Sequence, residues 1–158
     1  TDGALFLALI HEIIHLGLYD RDFLVRYTNS AQLVNQAKAS TEFGMFMRAE
    51  VPEEEGCFDP QNKLWWDRRT NRAVVTHAED ADPYLLGEFT LDDGMRVKPS
   101  FQLLKERVDA YTPEWAAGIT GIPAEAIRRA AIVRDPASGP CPSWSRRWGN
   151  WMRRSSPS

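Results

Sequence analysis

Residues 1–29, TDGALFLALIHEIIHLGLYDRDFLVRYTN, constrain the fold of this chain more tightly than any other stretch. Leu5, Leu9, Ile13 and Leu16 recur at three- and four-residue intervals, and Ala8 and Ile10 widen the stripe. That period predicts an amphipathic helix over residues 4–18. Thr1 or Asp2 can cap its first amides, and Asp2 also suits the positive end of the helix dipole. Gly17 should close the helix as a left-handed C′ residue. Asp20 then caps a second short helix over residues 21–27, with Phe23, Leu24 and Tyr27 as its buried side. The apolar run over residues 4–10 is far too short to span a bilayer. It has no basic region before it and no cleavage-type sequence after it, so it does not read as a signal peptide.

Inside the first helix, His11-Glu12-Ile13-Ile14-His15 matches H-E-x-x-H letter for letter. Histidines at i and i+4 project from one helix face and can supply two ligands of a tetrahedral zinc, with Glu12 as general base on a metal-bound water. The extended form of that motif fails, because Leu18 stands where it has Gly and Arg21 where it has His. Glu42 is the nearest downstream carboxylate that could serve as a third ligand, and nothing local singles it out. The competing reading makes His11 and His15 the polar edge of a packing helix.

Downstream, residues 28–43 are hard to assign, although Leu33 and Val34 could end a buried segment. Residues 51–60, VPEEEGCFDP, read as an acidic surface loop. Residues 64–67 and 72–75 read as a hairpin around Arg68-Arg69-Thr70-Asn71. A second hairpin, residues 88–91 and 95–97, turns at Asp92-Asp93-Gly94. Arg68, Arg69 and Arg72 beside Trp65 and Trp66 could form a nucleic-acid stacking platform, or they could be charged stems packed over aromatic surface. Residues 101–111 predict a helix with Phe101, Leu104, Val108 and Tyr111 on one face. Thr112-Pro113 caps and starts another, which Gly121 ends, and residues 122–131 form a last one. Arg128 and Arg129 are too few to read bases, so packing accounts for them better than a helix-turn-helix does.

The chain has 158 residues, 43% hydrophobic and 26% charged, with a net charge of −3. This is one soluble domain's worth of sequence, with no reason to expect a nucleic-acid partner. Cys57 and Cys141 are far apart and fit no cluster or zinc spacing. From residue 135 the hydrophobic period is lost, and Trp144, Trp148 and Trp151 alternate with Arg. Such a tail is either a basic, aromatic contact surface or an abnormal end to the reading frame, and the abrupt change of composition favours the second. The chain starts on a cap residue with no initiating Met, so it is expected to be an internal fragment of a longer protein.

The whole of residues 1–29 resembles one segment of the molybdopterin oxidoreductases, the family that includes dimethyl sulfoxide reductase, formate dehydrogenase and thiosulfate reductase. The matching residues are Thr1-Asp2-Gly3-Ala4-Leu5, Ala8-Leu9-Ile10-His11, Ile13-Ile14, Gly17-Leu18-Tyr19-Asp20-Arg21-Asp22-Phe23 and Tyr27-Thr28-Asn29. His15 falls where that segment commonly carries an acidic residue, which makes the second half of the zinc pattern incidental. Leu33-Val34, Trp66-Asp67-Arg68, Gly87-Glu88-Phe89 and Lys98-Pro99-Ser100-Phe101-Gln102-Leu103-Leu104 are similar to the thiosulfate- and polysulfide-reductase-like branch. So are Tyr111-Thr112-Pro113-Glu114-Trp115-Ala116 and the run from Ile119 to Arg129. The likeness covers residues 1–132 and stops at the tail.

The resemblance implies an α/β fold, a fragment of a doubly wound nucleotide-binding domain with a β-hairpin insert and closing helices. Its segments would be residues 1–50, the helical start; 51–100, an insert with two hairpins; 101–134, the closing helices; and 135–158, a divergent and disordered tail. It also implies two-electron or oxygen-atom transfer at molybdenum or tungsten held by molybdopterin guanine dinucleotide, chemistry that belongs to the cofactor. An iron–sulfur cluster and the protein ligand to the metal would lie upstream of Thr1, so this piece alone would be inactive. Asp2, and with it Thr1, would lie near the guanine end of one dinucleotide, where a carboxylate can accept from N1–H and the amino group; Asp2 as a plain helix cap remains the alternative. The implied partners are a membrane anchor and an iron–sulfur electron-transfer subunit. Export to the periplasm is the leaning for this branch.

Overall fold

The computed structural model describes residues 1–49, 62–76, 78 and 80–132. They form two compact units, one of Thr1–Leu18 together with the chain from Tyr111 onward, the other of Tyr19–Ala110. The expected helical segment over residues 1–50 is therefore shared between two bodies. The acidic loop at 51–60 with Cys57, His77, and the tail with Cys141, Trp144, Trp148 and Trp151 lie outside the described residues.

The first unit is helical. Helix α1 spans Asp2–His15 and packs against α4, Pro113–Thr120, and α5, Ala124–Ile132. Fully buried Ala8 and Ala116 meet Ile127, with Leu5, Leu9 and Ile122 packed around them. Alanine at both positions leaves little side chain between α1 and α4, so their backbones can approach closely. The α1 terminus shows why the sequence stops there. Gly17 adopts φ +69°, its amide donates to the Ile14 carbonyl at 3.2 Å, and the Leu18 amide donates to Ile13 at 2.9 Å. That pair of bonds is the Schellman pattern, which glycine permits at C′. The helix proper thus ends at His15, short of the expected residue 18. Helix α4 is entered through Thr112, whose hydroxyl accepts from the Trp115 amide at 3.3 Å, and left through Gly121 at φ +75°. Both follow the expectation from Thr112-Pro113 and Gly121.

The second unit holds α2, Arg21–Tyr27, five short strands and α3, Ser100–Val108. Strand β1, Leu33–Asn35, pairs with β5, Arg96–Pro99, which also pairs with β4, Phe89–Thr90. The register sets Leu33 opposite Pro99, and Phe89 opposite Val97. A separate hairpin joins β2, Leu64–Asp67, to β3, Arg72–Val75, with Trp66 opposite Ala73. Leu33, Trp66 and Val97 form the buried core, flanked by Met47, Leu64, Tyr84 and Phe89. Trp66 and Phe89 stack with ring centres 4.7 Å apart, which ties the hairpin to the β1–β5–β4 sheet by apolar contact.

Both hairpins thus form where turn chemistry predicts them, but three packing expectations fail. Phe23 and Tyr27 are 53% and 67% exposed, and α2 buries no residue at all. In α3, Phe101 and Val108 are buried, but Leu104 is largely exposed and the helix ends before Tyr111. The α1 cap is made by the Thr1 backbone without a side-chain bond. All strand pairs among the described residues are antiparallel, so the implied doubly wound parallel sheet is not represented in them. No helix among the described residues is long and apolar enough to cross a membrane.

Candidate functional site

Thr1 and Asp2 stand at the exposed start of a 14-residue helix. Asp2 lies in the first turn, where unpaired amides concentrate positive potential and favour a carboxylate. Because Thr1 makes no side-chain cap bond, the groups at this end are not consumed by local capping. An added Cβ at Gly3 would meet nothing within 4 Å, so the surface beside Asp2 is open. A carboxylate placed this way suits the paired N–H donors on the edge of a guanine ring. Thr1 and Asp2 therefore fit the group that the resemblance assigns to them.

His11 and His15 do come together, with ring centroids 4.2 Å apart and planes tilted by 35°. Glu12, the intended general base, belongs to a different set of charges. Arg128 on α5 forms an ion pair with Glu114 on α4, and Glu125 lies 4.0 Å from it. The hydrogen bond to Glu114 raises the Arg128 pKa above its ordinary value, and the charges of Glu114, Glu12 and Glu125 add to the effect against a burial cost. Glu12 therefore helps neutralise a guanidinium within the helical unit. Glu42 belongs to the other unit, in a turn where its amide donates to the Ser40 hydroxyl at 3.1 Å. The zinc pattern thus supplies its two imidazoles on one face, while its general base is engaged with a cation on another helix.

The aromatic–arginine cluster around β2 and β3 is a packing arrangement. Trp65 and Trp66 are buried, and the Trp66 indole N–H donates to the Asn71 side chain at 3.1 Å. Arg68 lies over the Tyr84 ring at 4.9 Å and near Asp82 at 3.7 Å, and Arg69 donates to the Asp80 carbonyl at 2.8 Å. Buried indoles offer no open face for a base to stack on.

Sequence reasoning missed the charged groups that organise this unit. Asp67 is only 3% exposed. One carboxylate oxygen accepts from the Asp82 amide at 2.9 Å, and the other from the Thr70 amide at 2.9 Å and hydroxyl at 2.7 Å. Burial pushes its pKa up, but those donors outweigh it and hold the group at about 2. An always-ionised carboxylate with both oxygens engaged is a structural anchor and cannot act as a proton carrier near neutrality. The spacing Asp67-x-x-Thr70, an Asx-type turn signal, could have revealed it. Asp82 is a second junction, taking an ion pair from Arg21, whose guanidinium also donates to the Pro83 carbonyl at 2.8 Å. Lys98, between Glu106 at 2.8 Å and Glu88 at 3.5 Å, is a third. The Glu106 hydrogen bond raises the Lys98 pKa, and the same bond lowers that of Glu106.

No family model matches the chain. Curated relatives do. The catalytic subunit of the sulfite dehydrogenase of Allochromatium vinosum is 61% identical over 131 residues, which is 83% of this chain and 14% of the relative. The perchlorate reductase alpha chain of Dechloromonas aromatica is 33% identical over 159 residues, 83% of this chain and 17% of the relative. Dopamine dehydroxylase of Eggerthella lenta is 48% identical over 149 residues, 74% of this chain and 14% of the relative. These relatives are oxidoreductase catalytic subunits whose chemistry rests on a molybdenum–pterin cofactor, and the first two are named as components of larger complexes. The chain belongs to the molybdopterin oxidoreductase family, and it spans about a sixth to a seventh of the length of the curated relatives it matches.

Proposed function

We propose that this chain is a segment of the catalytic subunit of a molybdenum- or tungsten-dependent oxidoreductase that carries out two-electron or oxygen-atom transfer on a small inorganic or organic substrate. The observation that carries this reading is the 61% identity over 131 residues to the sulfite dehydrogenase relative, which makes sulfite the first substrate to assay. Within that subunit the segment would belong to a doubly wound nucleotide-binding domain, with the two hairpins as an insert and α3, α4 and α5 as closing helices. The metal centre, held by two pterin guanine dinucleotides, supplies the redox chemistry when bound. An iron–sulfur cluster elsewhere in the catalytic polypeptide would relay electrons to an iron–sulfur partner subunit, with a membrane anchor where one is present.

The part played by this chain's own residues is binding. Asp2, at the exposed start of α1, would accept two hydrogen bonds from a guanine base, with Thr1 beside it. The helix N-terminus would orient that carboxylate without neutralising it, because the positive end of the dipole stabilises the ionised form. Acid release of guanine nucleotide from the purified full-length subunit tests the reading. Guanine nucleotide should be recovered, and Asp2→Ala should lower the amount retained after dialysis by about ten-fold, the effect of one charge-assisted pair at roughly 1.4 kcal/mol. A full-length subunit that yields no guanine nucleotide would sink the cofactor assignment. Unchanged retention in the variant would reduce Asp2 to a helix-terminal charge.

A further inference from the structure

We propose that the Phe23–Tyr27 face of α2 is a docking surface for an apolar segment of the same catalytic subunit that lies outside these 158 residues. The inference rests on the segment reading above and adds to it a specific surface and its occupant.

A seven-residue helix is too short to be stable in isolation, and α2 buries none of its residues. It is nevertheless held at several points by polar contacts. The Asp20 carboxylate accepts from the Phe23 amide at 2.9 Å. Arg21 reaches Asp82 and the Pro83 carbonyl. The Thr28 hydroxyl donates to the Leu24 carbonyl at 2.5 Å. This anchoring leaves Phe23 and Tyr27, one helical turn apart, with ring centroids 5.3 Å apart and both more than half exposed. Exposed Asp22 and the partly exposed Arg26 flank them. An aromatic pair rimmed by charge on a firmly held element is the pattern of a contact surface.

The unit's own core, Leu33, Trp66 and Val97 with their neighbours, is built without this pair. The sulfite dehydrogenase and perchlorate reductase relatives are about six to seven times longer than the matched stretch, which fills only 14% and 17% of them. Most of the polypeptide available to cover α2 therefore belongs to the same subunit. The Tyr27 hydroxyl asks the covering segment for one polar group at the rim of an otherwise apolar patch.

Hydroxyl-radical footprinting of the full-length catalytic subunit, purified without its partner subunits, tests this. Phe23 and Tyr27 should be labelled about ten-fold more slowly than in the same subunit unfolded in urea, as expected when an exposed patch becomes interface. Labelling at the unfolded rate in a long subunit overturns the inference while leaving the segment reading intact. Protection that appears only when partner subunits are added also overturns it, because the occupant is then another chain. An intact mass near 18.0 kDa for the gene product would overturn the segment reading and this inference together.

Discussion

Asp67→Asn keeps the size and shape of the side chain but replaces one acceptor oxygen with an NH2 group. In either orientation that NH2 faces a donor, the Asp82 amide on one side or the Thr70 amide and hydroxyl on the other. A buried amide then loses its partner, at a cost of about 1–3 kcal/mol. Proton linkage gives a matching figure. The carboxyl pKa falls from 3.8 to about 2 in the folded chain, and each unit is worth about 1.4 kcal/mol, so the ionised form contributes about 2 kcal/mol. Because the folded pKa is depressed, that contribution is fully present above the unfolded value of 3.8 and is lost as pH falls through about 2. Urea unfolding followed by near-ultraviolet circular dichroism at pH 7, 5 and 3 measures it. Wild type should exceed the variant by about 2 kcal/mol at pH 7 and 5, with roughly half of that gap gone at pH 3. Equal stability at pH 7, or a gap of the same size at pH 3 as at pH 7, would refute the anchoring role.

Two further substitutions probe packing and the histidine pair. Gly87→Ala places a Cβ 2.7 Å from the Phe89 ring at a backbone φ of +130°. It should destabilise the chain by about 2 kcal/mol or more in thermal melting, since both the backbone and the Trp66–Phe89 stack must yield. His15→Ala removes an exposed side chain and should change stability by about 0.5 kcal/mol or less. Metal analysis of wild type and variant should give the same result, and a stoichiometric zinc lost on substitution would contradict the packing role of His11 and His15.

Local rules make much of the chain legible. Gly17, Asp20, Thr112 and Gly121 each do what their chemistry requires at a helix end, because capping is settled within a few residues. The Asp-Gly turn and the Arg68-Arg69-Thr70-Asn71 turn likewise place both hairpins. Burial is what local rules miss. Phe23 and Tyr27 have the spacing of a core face, yet spacing fixes only which side chains share a side of a helix, and the packing partner must come from elsewhere. Strand β1 is hard to assign because three residues carry no period; its pairing with β5 depends on a contact more than sixty residues away. At the candidate site, periodicity brings His11 and His15 onto one face correctly, but it cannot show that Glu12 serves Arg128 on another helix. Asp2 is singled out through the resemblance, and its exposed place at the helix start agrees with the role that resemblance implies.

Elemental analysis of the purified full-length subunit tests the central claim most directly. The account predicts about one molybdenum or tungsten per subunit, together with iron, and no zinc bound through His11 and His15. One zinc per chain with neither molybdenum nor tungsten, and loss of that zinc in His15→Ala, would contradict it.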